Sequence, residues 1–252
     1  MSDSRLTLEF KPDLAEATQR WLAFWDHELL DRPPCVITAP REGAQPVGLP
    51  PYLAGAREDF GPVLARVLEH SAAVWWGGEA VPNYVPAFGP DQLAAWLGGE
   101  LVFPEEDTGT DWVKPCVEDW DSFLPLRLEE DNYWWRRMRE FCAALAEGFR
   151  GKLIVAHLDL HSNVDTLLAL RGGMRLSMDL LDQPEAIDRA MQQVRALYRP
   201  VYEAVLELPA LALDLDLPTD LAAFVRQAPD DPLAQYCLAH ARESFLNQAP
   251  SA

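Results

Sequence analysis

The stretch that decides the fold is Leu153 to Val194, LIVAHLDLHSNVDTLLALRGGMRLSMDLLDQPEAIDRAMQQV. Leu153, Ile154, Val155 and Ala156 form the short apolar run of a strand buried on both faces, and polar residues begin where the run stops, at His157, Asp159 and His161. A long helical pattern follows: Ser162 or Asn163 can cap it, Gly172-Gly173 divides it, and Pro184 opens a last helix reaching about Leu206. Strand, polar loop and helix make a βα unit. In parallel α/β architectures the loops at the C-terminal strand ends carry the chemistry, which makes His157, Asp159 and His161 the first candidate catalytic residues. Their spacing of two places all three on one face of an extended strand, a geometry able to hold a metal through His157 and His161 or to move a proton. The alternative is a loop in which the Asp and one His form a purely structural network.

Working backwards, Asp131 should cap a helix from about Tyr133 to Phe149 with Trp134, Met138, Phe141, Cys142 and Leu145 on its buried stripe. Leu101 to Val117 reads as a strand pair joined through Thr108-Gly109-Thr110-Asp111. Its acidic run Glu105, Glu106 and Asp107, next to Trp112, is either a solvated hairpin or a receiver for a cationic substrate. Asp91 should cap a short helix through Leu97. Glu79 to Phe88 fits a strand made irregular by Pro82 and Pro86, with Glu79, Asn83 and Tyr84 as its polar groups. A helical pattern over Asp59 to Trp76 is closed by Gly77-Gly78. Cys35 to Thr38 is a first strand leading into a loop that carries Arg41, placed to hold a carboxylate or simply solvated. Asp13 to Leu30 is an amphipathic helix stopped by Pro33 and Pro34.

The bulk numbers set the class. The 252 residues, 49% hydrophobic, suffice for a sizeable core. A formal net charge of −19 argues against nucleic acid or an anionic membrane surface as a partner, and no window approaches the length of an apolar membrane span. Four cysteines without CxxC spacing, and a start without a signal-peptide core, fit a reducing cytoplasm. Nine tryptophans point to an aromatic core or to a pocket that stacks flat or cationic groups.

Three segments in order resemble the uroporphyrinogen decarboxylase-like superfamily: VITAPREG at 36–43, GGEAVPNYVPAFGP at 77–90, and DTLLALRGG with MDLLDQPEAIDRAM at 165–191. The resemblance implies a distorted (β/α)8 barrel, and either decarboxylation or methyl transfer with a zinc site or a corrinoid partner. Only about three main-sheet strands precede the tail, so the expected fold is α/β, a partial TIM-barrel-like domain over residues 1–206 with a divergent helical tail over 207–252. Such a half-barrel calls for a homo-oligomer or a separate second-half chain, or serves as a non-catalytic binding subunit. In the family's pattern Glu79 stands where decarboxylases carry an aspartate, and Arg41 stands alone where they carry several arginines. The substrate implied is therefore small and is not uroporphyrinogen. Arg41 would clamp an anionic group, Glu79 or Asp159 would do proton or electrostatic work, and His157 and His161 would position substrate or metal. Asn83, Tyr84 and Asp107 would line the site and Trp112 cover it. The chain lacks the His-x-Cys of the zinc-binding members, so no cofactor is evident from its own residues.

Overall fold

The computed structural model describes residues 8–104, 110–161 and 163–206. The acidic run Glu105, Glu106 and Asp107 and the tail at 207–252 lie outside the described residues. The elements run α1 (Leu14–Trp25), β1 (Val36–Pro40), α2 (Ala54–Arg57), α3 (Phe60–Ala73), β2 (Val74–Gly78), β3 (Asn83–Tyr84), α4 (Gln92–Trp96), β4 (Glu100–Val102), β5 (Trp112–Lys114), α5 (Trp120–Phe123), α6 (Tyr133–Gly148), β6 (Ile154–Val155), α7 (Val164–Arg171), α8 (Gly173–Asp182) and α9 (Pro184–Leu206).

The centre of the core is α6. Trp135, Met138, Phe141, Cys142 and Leu145 recur at the helical period and are fully buried, so one face of the helix meets α2, α3, α4 and β6. Trp134, expected on that stripe, is only partly buried. Phe141 gathers three rings around it: Phe60 at 5.0 Å, Phe88 stacked at 5.9 Å and Tyr84 edge-on at 6.4 Å. The helix begins at Tyr133 as expected, but its cap is Asn132 and not Asp131, the Asn132 side chain accepting from the Trp135 N–H.

The described strands form three separate two-stranded sheets, and there is no closed barrel among the described residues. The largest departure from expectation lies at 74–78. Helix α3 stops at Ala73, and Val74, Trp75 and Trp76 become β2, antiparallel to β1 with Val36 opposite Gly78 and Pro40 opposite Val74. A β-branched residue and two tryptophans favour a pleated strand over a last helical turn, and Gly78, at φ +60°, turns the chain at the ribbon's end instead of capping a helix. Consequently the expected strand at 79–88 shrinks to Asn83–Tyr84. These two residues pair in parallel with Ile154–Val155, between the prolines that deny further ladder bonds. The hairpin at 101–117 forms as β4 and β5, with Leu101 opposite Val113.

Two charged clusters tie the layers together. Arg171, from the RGG turn, is held by Asp179 through two hydrogen bonds of 2.6 and 3.0 Å and donates to the carbonyls of Val117 and Glu118, while the Trp120 indole donates to the same aspartate. This pins the α7–α8 corner onto the segment between β5 and α5. At the other end the Lys11 ammonium is wholly buried yet satisfied by the carbonyls of Trp76 and Gly78 and by Asp13.

Candidate functional site

The parallel pair β3–β6 sends two loops off its C-terminal end, the mostly apolar and buried residues 85–91 and residues 156–161 with His157, Asp159 and His161. Gln92 locks the loops to each other: its side-chain oxygen accepts from the Phe88 N–H at 3.0 Å, and its amide donates to the Asp159 carbonyl at 2.6 Å. Gln92 is itself buried, and its bond with Phe88 is closed to water while the one to Asp159 is partly so, which ties the loops to each other.

The three residues read as one face of a strand are divided. Strand β6 ends at Val155, and beyond it Leu158 and Leu160 are buried while Asp159 and His161 are exposed. Asp159 and His161 remain neighbours, with Nε2 3.6 Å from Oδ2 and both side chains substantially exposed. His157 turns to α9 instead: its ring lies 3.6 Å from that of Tyr202 and its Nδ1 2.8 Å from the Leu158 carbonyl. Burial holds its pKa below the ordinary histidine value.

The other candidates are scattered. Glu79 is buried in an ion-pair cluster: Arg32 reaches both carboxylate oxygens at 2.6 Å, Arg20 adds a third contact at 3.3 Å, and the Cys35 N–H donates at 2.7 Å. These partners, Arg32 first, hold its carboxyl below the usual range, so Glu79 acts as a clamp between α1 and the start of β1. Arg41 is exposed at the end of the β1–β2 ribbon and donates to the Val74 carbonyl. Asn83 is exposed and donates to the Val81 carbonyl, while the Tyr84 ring packs on Phe141 and Phe149, where burial pushes the phenol up to about 12. Trp112 is exposed on the strand face opposite the buried Val113.

In their place the structure presents a residue expected in the turn between β4 and β5. Asp111, at the entry to β5, is only 3% exposed, and neither carboxylate oxygen has a hydrogen-bond partner among the described residues. Its carboxyl lies in the space left by the absent side chain of Gly89, on the loop that leaves β3, at φ +98°. Burial, and then the charge of Asp91, push its pKa from 3.8 to about 7, against a small opposing effect of its own backbone N–H. Asp91 does not cap α4 as expected; its carboxylate accepts from the Val113 N–H at 3.1 Å. The Tyr52 phenol is raised above its ordinary value, first by burial and then by the negative charges of Asp159 and Asp111. The signal in the sequence was alternation, since Asp111 shares the inward phase with Val113.

No group of three His, Cys, Asp or Glu side chains among the described residues is arranged to hold a metal ion. The donor set therefore does not fit a zinc site within this loop cluster. No helix among the described residues is long and apolar enough to cross a membrane. No protein-family model matches the chain, and neither a curated protein nor a solved structure matches it.

Proposed function

We propose that this chain is a partial (β/α)8 member of the uroporphyrinogen decarboxylase-like superfamily that carries out proton-dependent chemistry, decarboxylation in preference to methyl transfer, on a small substrate other than uroporphyrinogen. The observation that carries the reading is the parallel β3–β6 pair whose C-terminal loops are locked by Gln92 and present Asp159 beside His161. Decarboxylation leaves a carbanion that must take up a proton, and an imidazole beside a carboxylate at the end of a βα strand is of the residue type suited to deliver it. Methyl transfer to a thiol calls for a soft metal site, and the cysteines among the described residues stand apart at Cys35, Cys116 and Cys142.

The substrate is not a polycarboxylate in this reading. The charged groups gathered with the loops are Asp91, Asp111 and Asp159, and Arg41 is engaged at the β1–β2 ribbon. The test is release of carbon dioxide from a panel of small 2-oxo, 3-oxo and heteroaryl-acetic acids by the full-length chain and by His161→Gln. Turnover of one class, reduced at least tenfold in the variant, supports the reading. Formation of coproporphyrinogen from uroporphyrinogen, or turnover unchanged in His161→Gln, overturns it.

A second reading, a non-catalytic half-barrel acting as a binding subunit, is favoured by a different observation. Met174, Met178 and Leu181 form a stripe on α8 at 86, 54 and 78% exposure, continued by Leu168 on α7. Light scattering separates the two: a mass above that of one chain, lost in Met178→Glu, supports association through this stripe, and a monodisperse monomer refutes it.

A further inference from the structure

The ribbon β1–β2 has one closed edge and one open edge. The bonds that flank its ladder, from the Glu79 N–H to the Cys35 carbonyl at 2.9 Å and from the Arg41 N–H to the Ala73 carbonyl at 2.8 Å, fix the phase of the pairing. In an antiparallel pair with that phase Cys35, Ile37, Ala39 and Arg41 bond across to β2, and Val36, Thr38 and Pro40 turn their backbone groups away from it. On β2 the corresponding outward carbonyls, those of Trp76 and Gly78, are taken by the buried Lys11 ammonium at 3.0 and 2.6 Å. On β1 the N–H and C=O groups of Val36 and Thr38 have no partner among the described residues, and both residues are exposed.

An unpaired edge is a template for a further strand, and charged side chains are the usual guard against it. Here the guards are prolines alone, at 33, 34 and 40. The segments PPCVITAP at 33–40 and VWWGG at 74–78 contain no charged side chain, in a chain whose formal net charge is −19. Val36 is 61%, Ile37 43% and Trp75 51% exposed, and the Trp75 indole lies over the place where Gly77 has no side chain, next to Ile37 on the paired strand. A two-stranded ribbon this open is marginal by itself, and further strands with a covered apolar strip stabilise it.

We propose that β1 pairs with β1 of a second copy of this chain, antiparallel about a two-fold axis at Ile37, so that the two ribbons join into one continuous sheet. The prolines set the register. Pro34 and Pro40 lie three residues to either side of Ile37, so across this axis each faces its opposite number, and the residues without an N–H end the ladder together. Between them the Val36 N–H donates to the partner's Thr38 carbonyl and the Thr38 N–H to the partner's Val36 carbonyl, and symmetry repeats both bonds. Every open group of the two residues is then used. An axis at Val36 or at Thr38 instead sets a proline opposite one of the open carbonyls and leaves it unpaired. Charge complements the same arrangement: Asp31 and Arg32 precede the strand and Arg41 and Glu42 follow it, so each end brings an acid and a base of one copy to a base and an acid of the other. Neither Arg41 nor Glu42 makes an ion pair among the described residues. On one face Trp75 and Ile37 of both copies form an unbroken apolar strip. The contact goes beyond the decarboxylation reading and lies on a different surface from the α8 stripe, so it stands or falls without either.

The experiment is sedimentation velocity of the full-length chain from about 1 to about 200 µM. Edge pairing gives an interface at the small end of specific association, so a monomer–dimer equilibrium with Kd on the order of 10 µM is expected. Thr38→Pro removes an N–H that takes no part in the ladder to β2; association should weaken at least tenfold at unaltered Tm. Met178→Glu should leave the equilibrium unchanged. Cross-linking reads the register directly and does not depend on how Thr38→Pro folds. In a Cys35→Ser background, Ile37→Cys puts two thiols at a non-hydrogen-bonded pair with Cα atoms about 4.5 Å apart, within disulfide reach, and mild oxidation should join position 37 of both copies. Ala39→Cys, with the exposed Cys35 kept, should give the crossed link between positions 35 and 39, each link identified by peptide mass. A monomer at the top of the concentration range, a dimer unaltered by Thr38→Pro, a dimer lost in Met178→Glu alone, or oxidised dimers that lack both links overturns the proposal.

Discussion

The carboxyl of Asp111 fills the place where Gly89 has no side chain. This one contact joins the β4–β5 hairpin to the loop leaving β3, and it converts what reads as a turn aspartate into a buried acid whose pKa is about 7.

The pH dependence of folding follows from that shift. Between its ordinary value of 3.8 and about 7, Asp111 keeps its proton in the folded chain and has lost it in the unfolded one. Folding therefore binds a proton in this window, and stability falls as pH rises through it and levels off above. The full contribution is on the order of 4 kcal/mol. Urea denaturation of the chain at about pH 5 and pH 8 should show the loss, and Asp111→Asn should remove most of the difference between the two.

At Gly89 a methyl group would meet the Asp111 carboxyl, and the positive φ would strain any L side chain. Gly89→Ala should cost roughly 2 kcal/mol or more. The steric part of that cost disappears if Asp111 is shortened, so the double variant Gly89→Ala, Asp111→Ala should be less destabilised than the sum of the single variants. Additivity within about 0.5 kcal/mol would show that the two residues are not in contact.

Asp179→Ala leaves the Arg171 guanidinium buried without its carboxylate, and a loss of about 3–5 kcal/mol is expected. The Asp179 carboxyl is held below 3.8, first by its hydrogen bonds from Arg171. Its contribution is thus fully present above the unfolded value near 3.8 and is lost as pH falls through the lower folded value. Acid unfolding of the chain should begin at higher pH in Asp179→Asn, as followed by tryptophan fluorescence, since Trp120 donates to this carboxylate.

Glu79 is surrounded by Arg32, Arg20 and the Cys35 N–H, and its side chain is closed to solvent. Glu79→Gln should lower stability by about 2–4 kcal/mol, and in the folded fraction it should leave kcat unchanged. A drop in kcat at unaltered Tm would instead assign Glu79 to the chemistry.

Local pattern was enough to determine the helices, because amphipathic period and end signals act within a few residues of themselves. The stripe of α6, the glycine pair dividing α7 from α8, and Pro184 opening α9 are all legible in the chain, as is the turn-linked pair β4–β5. What local pattern left open was partnership. Val74 to Gly78 could end a helix or pair with Val36 to Pro40, and the ladder to a distant strand settled the matter. Likewise the spacing of two puts His157, Asp159 and His161 on one side, and it was the packing of α9 that set His157 apart, against Tyr202. Buried charge was the least legible feature. Whether Glu79 meets two arginines, or Asp111 meets none among the described residues, depends on segments tens of residues away being folded against each other, and desolvation acts on a carboxyl only once that has happened.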